Sequence, residues 1–246
     1  HVKKYLHKNK RRFQNKSFID FPAGNGITTK ILREIGAKPF AFDLFPEYFN
    51  IEGLNCKRAN IVEGLPVKDA FADYLICQEG MEHFSDQLAS FKEFNRVLKK
   101  GGGLIVTTPN YSSLRAKMSY FLSESERFNS IIAPNELDSI WMSNEDITNE
   151  VYYGHIFLIG ILKLRCFGKL SGFKIKHIQS TQVKTTSLFL LILFYPFILL
   201  SNWITYRKRL RKNKEFDENT KREVYYEIFK LSINPRILVD GHIFVE

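Results

Sequence analysis

The chain has 246 residues, 44% of them hydrophobic, and 36 Lys and Arg against 26 Asp and Glu give it a net charge of +10. That length and apolar content bury a substantial core without cross-links. Cys56, Cys77 and Cys166 lie at neither paired nor metal-type spacing, which excludes a disulfide framework, points to a reducing compartment and leads us to expect no zinc or other metal site.

No secretory signal is visible, and the chain opens on His1 rather than Met, which leaves the native N-terminus open. No internal repeat or low-complexity tract appears. Six Lys or Arg fall within the first twelve residues. Phe18 to Asp20 then reads as a strand that stops at an acid and breaks into the turn Phe21-Pro22-Ala23-Gly24-Asn25-Gly26, and Thr28 to Ile35 has helical character. This is how a nucleotide-type α/β domain opens. A second apolar segment, Pro39 to Phe42, ends in Asp43, where a carboxylate can accept both hydroxyls of a ribose.

Arg58 to Ile61, ahead of Gly64-Leu65-Pro66, places the amide of Asn60 at the end of a third short strand. Ala72 to His83 is a buried-type strand running into polar residues. Gln87 to Lys100 carries Leu88, Phe91, Phe94, Val97 and Leu98 as one helical stripe, then Gly101-Gly102-Gly103 closes it and Leu104 to Val106 begins a fifth strand. Ser123 to Tyr153 is rich in Asn, Ser, Asp and Glu and has weak periodicity. Ile156 to Leu170 is helix-like. Thr185 to Tyr206 carries no charge, and Arg207 to Lys214 then holds six cations in eight positions. Asp217 to Leu231 has helical spacing with acids at its start, the pattern of a covering amphipathic helix.

Five ordered motifs resemble the class I S-adenosylmethionine-dependent methyltransferases of the type 11/12-like branch: Asp20 to Gly26, Asn60 to Pro66, Glu79 to His83, Arg96 to Gly102 and Thr108 to Asn110. The resemblance covers about residues 14 to 180, with Arg236 to Val245 as a last strand. It implies a Rossmann-like seven-stranded sheet with helices on both faces. Residues 1–180 would form the core, with a substrate-side lid over about 111–155. An apolar and basic insertion would occupy 181–235, and 236–246 would return as the last core strand. Two positions depart from the family pattern. Pro22 replaces a glycine and removes one N–H donor from the turn, and Asn60 stands where Asp is common but keeps a carbonyl acceptor.

The resemblance implies S-adenosylmethionine as cofactor. Asp20 would sit near its ammonium or organise the turn, and Phe21, Pro22, Ala23, Gly24 and Gly26 would wrap its methionine part. Asp43 would hold the ribose, Leu44 would pack on the adenine, and Asn60 with Ile61 would meet the adenine edge. Gln78 and Glu79 would face the methionine moiety or the acceptor. If the acceptor is a hydroxyl, His83 and His155 are candidate bases, and each serves equally well as a structural or capping residue. His155 and Asn110 are also candidate acceptor contacts, Asn110 alternatively being a turn residue. His242 is expected to be structural.

Residues 185 to 206 are long enough to span a bilayer, with Trp203 and Tyr206 at an interface and cations beyond. A single crossing would place the sixth strand (about Phe173 to Gln179) and the seventh on opposite sides of the membrane. The segment is therefore read as a monotopic or re-entrant element bent near Pro196, with its basic edge on anionic headgroups, the alternative being a buried core helix or dimer surface. The expected function is methyl transfer to a small, membrane-associated acceptor: a lipid-linked glycan, a quinone or a phospholipid headgroup. The expected location is cytoplasmic, peripheral or monotopic at the inner membrane face. Two alternatives stand beside it. A nucleic-acid methyltransferase would suit the charge but lacks the Asp/Asn-Pro-Pro-aromatic box. A non-catalytic methyltransferase-like scaffold or membrane-bound partner would suit Pro22 and Asn60. The sequence leaves the oligomeric state open.

Overall fold

The computed structural model describes residues 1–125, 155, 157–212 and 215–246. The basic first segment is helical: α1 (Val2–Lys8) and α2 (Lys10–Phe13) turn Val2, Tyr5, Leu6 and Phe13 inward and leave the lysines outside. After them come β1 (Ser17–Asp20), α3 (Ile27–Glu34), β2 (Lys38–Asp43), β3 (Cys56–Arg58), β4 (Ala72–Gln78), α4 (Gln87–Val97) and β5 (Leu98–Pro109). The second half supplies α5 (Leu114–Ser123), α6 (Ile161–Leu170), α7 (Thr185–Arg211), α8 (Glu218–Ser232), α9 (Pro235–Val239) and β6 (His242–Val245).

The sheet order is β3-β2-β1-β4-β5-β6, with β6 antiparallel to β5 and the other pairings parallel. Parallel strands need both faces covered, and the core accordingly divides in two. One face packs Ile19, Leu75 and Val106 against Phe91 and Phe94 of α4 and Leu164 of α6, while the other packs Phe18, Ile76 and Ile105 against Leu6, Phe13, Leu32 and Ile35. The registers Asp20↔Ile76, Gln78↔Thr107 and Pro109↔His242 align the carboxyl ends of β1, β4 and β5 with the start of β6. Every polar strand terminus singled out above lies along that one edge.

Among the described residues six strands form where seven were expected. Residues 173–179 run beside β6 without becoming a full strand: Ile178 bridges Val245, and the N–H groups of Lys176, His177 and Gln179 reach carbonyls of Glu246 and Phe244. The last strand is also shorter than Arg236 to Val245. Asn234 caps α9 by accepting from the Arg236 N–H at 3.0 Å, and Pro235 starts the helix, so residues 235–239 wind before β6 begins. Of the lid expected over about 111–155, α5 is its described beginning; residues 126–154 lie outside the described residues.

The uncharged segment and the first cations after it form one 27-residue helix, which continues through Pro196 instead of reversing there. Only Ser187 and Leu190 along it are buried, so it is not a core helix of this chain. It is held on one side. Leu190 packs with Leu114 of α5 and Leu238 of α9. The Tyr195 hydroxyl donates to the Ile233 carbonyl at 3.1 Å, and the Tyr206 ring stacks on Phe229 of α8 at 5.6 Å. The α8 helix begins with Asp217 accepting from the Thr220 N–H, and its Glu227 pairs with Arg165 of α6 at 2.7 Å. This pair ties the insertion to the core.

Candidate active site

The turn after β1 is shaped by two glycines and two acids. Gly24 has φ +51° with open space where a Cβ would point; Gly26 has φ +86°, and a Cβ there would meet the Phe49 ring at 2.6 Å. Only glycine fits the second position, and the first leaves a cradle. Pro22 follows a cis bond from Phe21 and lies against Gly80, so the proline fills space within the Glu79 to His83 box. Asp43 braces the turn from β2: its carboxylate accepts from the Gly24 N–H at 2.7 Å and from the Phe45 N–H at 2.9 Å. One lone pair per oxygen remains for a ribose.

Asp20 is buried at the end of β1. The Thr29 hydroxyl donates to its Oδ2, and Oδ1 has no hydrogen-bond partner among the described residues. Burial pushes this carboxyl up to about 7, opposed by the Thr29 hydrogen bond and helped by the charge of Asp43. A cation that reached Oδ1 would restore the carboxylate. Beside it, Gln78 accepts from the Thr28 hydroxyl at 2.9 Å, so both threonines of α3 serve this edge. Leu44, Asn60 and Ile61 are half-buried on the β2 and β3 side, with Asn60 Oδ1 accepting from the Val62 N–H at 3.2 Å. Phe21 and Ala23 are buried and anchor the turn through N–H bonds to Ile76 and Phe42.

Glu79 leaves β4 with φ +50°, an uncommon conformation for a side-chain-bearing residue. Its Oε1 accepts from the Thr107 hydroxyl at 2.8 Å, and its Oε2 lies 3.5 Å from Nε2 of His242. Glu82 is fully buried, accepts from the Thr108 hydroxyl at 2.9 Å and keeps Oε1 without a partner among the described residues. Burial, then the charge of Glu79, pushes its carboxyl up to about 8. His83 and His155 meet edge to face with ring centroids 5.3 Å apart. Ligand atoms of Glu82, His83 and His155 all lie within 4.8 Å of one another, a group able to hold a cation. Spacing along the chain suggested no metal site, because these ligands come from segments far apart in sequence.

Asn110 has no amide left for an acceptor. It is fully buried; its Nδ2 donates to the Ile237 and Asp240 carbonyls at 2.7 and 2.8 Å, and its Oδ1 accepts from the Ser112 N–H at 3.0 Å. The reading of Asn110 as an acceptor contact gives way to that of a turn residue which locks β5 to the approach to β6. Sequence reasoning assigned nothing to Thr28, Thr29 or Glu82, and it took His242 as structural. Only Glu82 carried a signal, as part of the Glu-Gly-x-Glu-His box. A cleft of about 550 Å³ lies at the opposite end of β5 between Arg12, Lys100, Leu104 and Lys176, away from these groups.

A model of the methyltransferase domain matches residues 2–177. The chain belongs to the methyltransferase domain family. That is the family type the motif series implied. It is 24% identical over 157 residues to the ubiquinone biosynthesis O-methyltransferase of Xanthomonas oryzae pv. oryzae, covering 56% of this chain and 65% of that protein. The match thus spans less than two thirds of that relative's length. Among solved structures, a SAM-dependent methyltransferase from Archaeoglobus fulgidus superposes with a TM-score of 0.54 at 15% identity, over 99% of this chain and 92% of that one. An S-adenosylmethionine-dependent methyltransferase from Mesorhizobium loti gives 0.53 at 13% identity, over 98% and 95%. At such identities these two show the fold.

The residues present fit the cofactor. The unpartnered Oδ1 of Asp20 suits an ammonium, the open space at Gly24 admits a chain against the backbone, and the Asp43 oxygens keep lone pairs that could accept hydroxyls. When bound, S-adenosylmethionine supplies an electrophilic methyl group on a sulfonium. The methyltransferase chain supplies position and dry surroundings for an in-line displacement.

Proposed function

We propose that this methyltransferase methylates a hydroxyl of a small apolar acceptor held at a membrane surface, of the prenylated quinone-precursor class. The observation that carries the reading is α7. It is long and apolar enough to enter a bilayer, with 6% of its apolar window buried. Phe189, Ile192, Leu193, Phe197 and Leu200 are exposed along it, and Trp203 and the cations Arg207, Lys208, Arg209 and Arg211 follow. Immersing each such side chain is worth roughly 1–2 kcal/mol, and each Lys or Arg near anionic headgroups about 1 kcal/mol.

The helix lies along a membrane rather than across it. Both flanks of the insertion are tied to each other, since Val183 bridges Asp240 and the Lys184 N–H reaches the Val239 carbonyl. Its partner α8 is charged and suited to a surface. Helix α5, which leaves the carboxyl edge of β5, touches α7 and ends in exposed Tyr120, Phe121 and Leu122. An acceptor with an apolar tail would therefore approach from the lipid side. The similarity to a ubiquinone biosynthesis O-methyltransferase supports a phenolic hydroxyl as the methylated group.

The test is transfer of labelled methyl from S-adenosylmethionine to a polyprenylated catechol, free in detergent or carried in phosphatidylglycerol vesicles. Faster labelling of the vesicle-borne acceptor, with the chain floating alongside the vesicles, is the expected result. Chain that stays off the vesicles and labels only water-soluble catechol would refute the membrane reading.

A further inference from the structure

His242 was expected to be structural, and its surroundings point elsewhere. The Pro109↔His242 register sets it at the carboxyl edge, level with Glu79 across the end of β5. Its backbone is fixed on every side. Thr181 Oγ1 donates to its carbonyl at 2.9 Å and accepts from its N–H at 3.3 Å; the Gly241 carbonyl takes the Asn110 N–H; and Asp240 accepts from Ser180 and from the Thr181 N–H. The imidazole itself is open, with 41% of the side chain exposed.

The ring also faces an acid. Nε2 faces Glu79 Oε2 at 3.5 Å, Thr107 holds the other oxygen of that carboxylate, and Nδ1 has no hydrogen-bond partner among the described residues. A carboxylate facing Nε2 favours the tautomer with its proton there, and in that tautomer Nδ1 carries a bare lone pair.

We propose that His242 is the general base of the reaction, with Glu79 and Asn110 as positioning residues. The inference rests on the hydroxyl-acceptor reading above. In the step, the acceptor oxygen forms a bond to the methyl carbon, and the carbon–sulfur bond breaks with its electron pair going to sulfur. The acceptor proton passes to Nδ1 of His242, and the imidazolium stands beside the Glu79 carboxylate until it loses that proton to water. His83 and His155 face each other and Glu82 instead, and they are the competing candidates.

The experiment reads the ring nitrogens by magnetic resonance on the intact chain with isotope-labelled histidine, at alkaline pH. The His242 signals are assigned by their loss in His242→Gln. The expected result is the Nε2–H tautomer in the free protein, its loss in Glu79→Ala, and a shift on adding S-adenosylhomocysteine that exceeds that of His177 at the far end of β6. In the polyprenylated-catechol assay, His242→Gln should lower kcat at least ~100-fold and leave S-adenosylhomocysteine affinity within about threefold. An Nδ1–H tautomer would overturn the proposal, because the basic nitrogen would already carry a proton. So would an unmoved His242 signal at saturation, or His83→Gln abolishing turnover while His242→Gln retained it. Failure to bind S-adenosylhomocysteine at all would count against the proposed function instead, and the tautomer of the free protein would still decide the role of His242.

Discussion

Asp20 is the residue whose chemistry is most displaced by the fold. Its carboxyl is pushed from an ordinary 3.8 in the unfolded chain to about 7, so between those values the folded chain holds a proton that the unfolded chain has released. The folded state binds more protons there, and stability therefore falls as pH rises through that window, by up to about 1.4 kcal/mol per pH unit. Glu82 acts in the same direction, from 4.5 up to about 8. A ligand ammonium at Oδ1 would favour the carboxylate. S-adenosylhomocysteine binding at about pH 6 should then release close to one proton, and affinity should rise with pH up to about 7. Calorimetry in buffers of different ionisation enthalpy measures this directly. A binding heat that does not depend on the buffer, or one that Asp20→Asn leaves unchanged, would remove Asp20 from the ligand site.

At the scale of elements, the membrane reading of α7 can be tested apart from folding. Ile192 is 76% exposed and Phe197 68%, so neither contributes much to the core. The double change Ile192→Ser and Phe197→Ser should leave thermal stability within about 0.5 kcal/mol and reduce partition into phosphatidylglycerol vesicles at least tenfold. A lowered melting temperature with unchanged partition would mean that the helix is a packing element. The strands that end at Asp20, Asp43 and Gln78 were legible in the sequence because a short apolar run stops at a polar residue, and α4 because its stripe has one period. Residues 235–239 were not legible. Ile237-Leu238-Val239 reads as strand by composition, and the cap from Asn234 with Pro235 decides otherwise. The proline in α7 does not end the helix, which runs from Thr185 to Arg211. Of the site, the motif-borne acids could be read along the chain. The pairings His83 with His155 and Glu79 with His242 could not, since each joins segments whose approach is set by sheet order.

For the whole molecule, the net charge of +10 is spread over unlike surfaces. Arg12 at the amino end of the sheet is spent on Glu246, whereas the cations closing α7 follow its apolar length. Binding to anionic vesicles should accordingly weaken with salt, at least about tenfold between roughly 0.1 and 0.5 M, and binding to neutral vesicles should hardly change. Equal salt dependence on both vesicle types, read by flotation, would contradict this division of labour. The sheet also imposes an order in time. Thr107 of β5 pairs with Phe244, which the ribosome adds 137 positions later. At 5–20 residues per second that edge waits on the order of ten seconds for its partner, and all of α7 emerges during the wait. The nascent chain therefore has its greasiest helix in hand before its catalytic edge is closed, so a nearby bilayer is in a position to act as the surface on which the enzyme finishes folding.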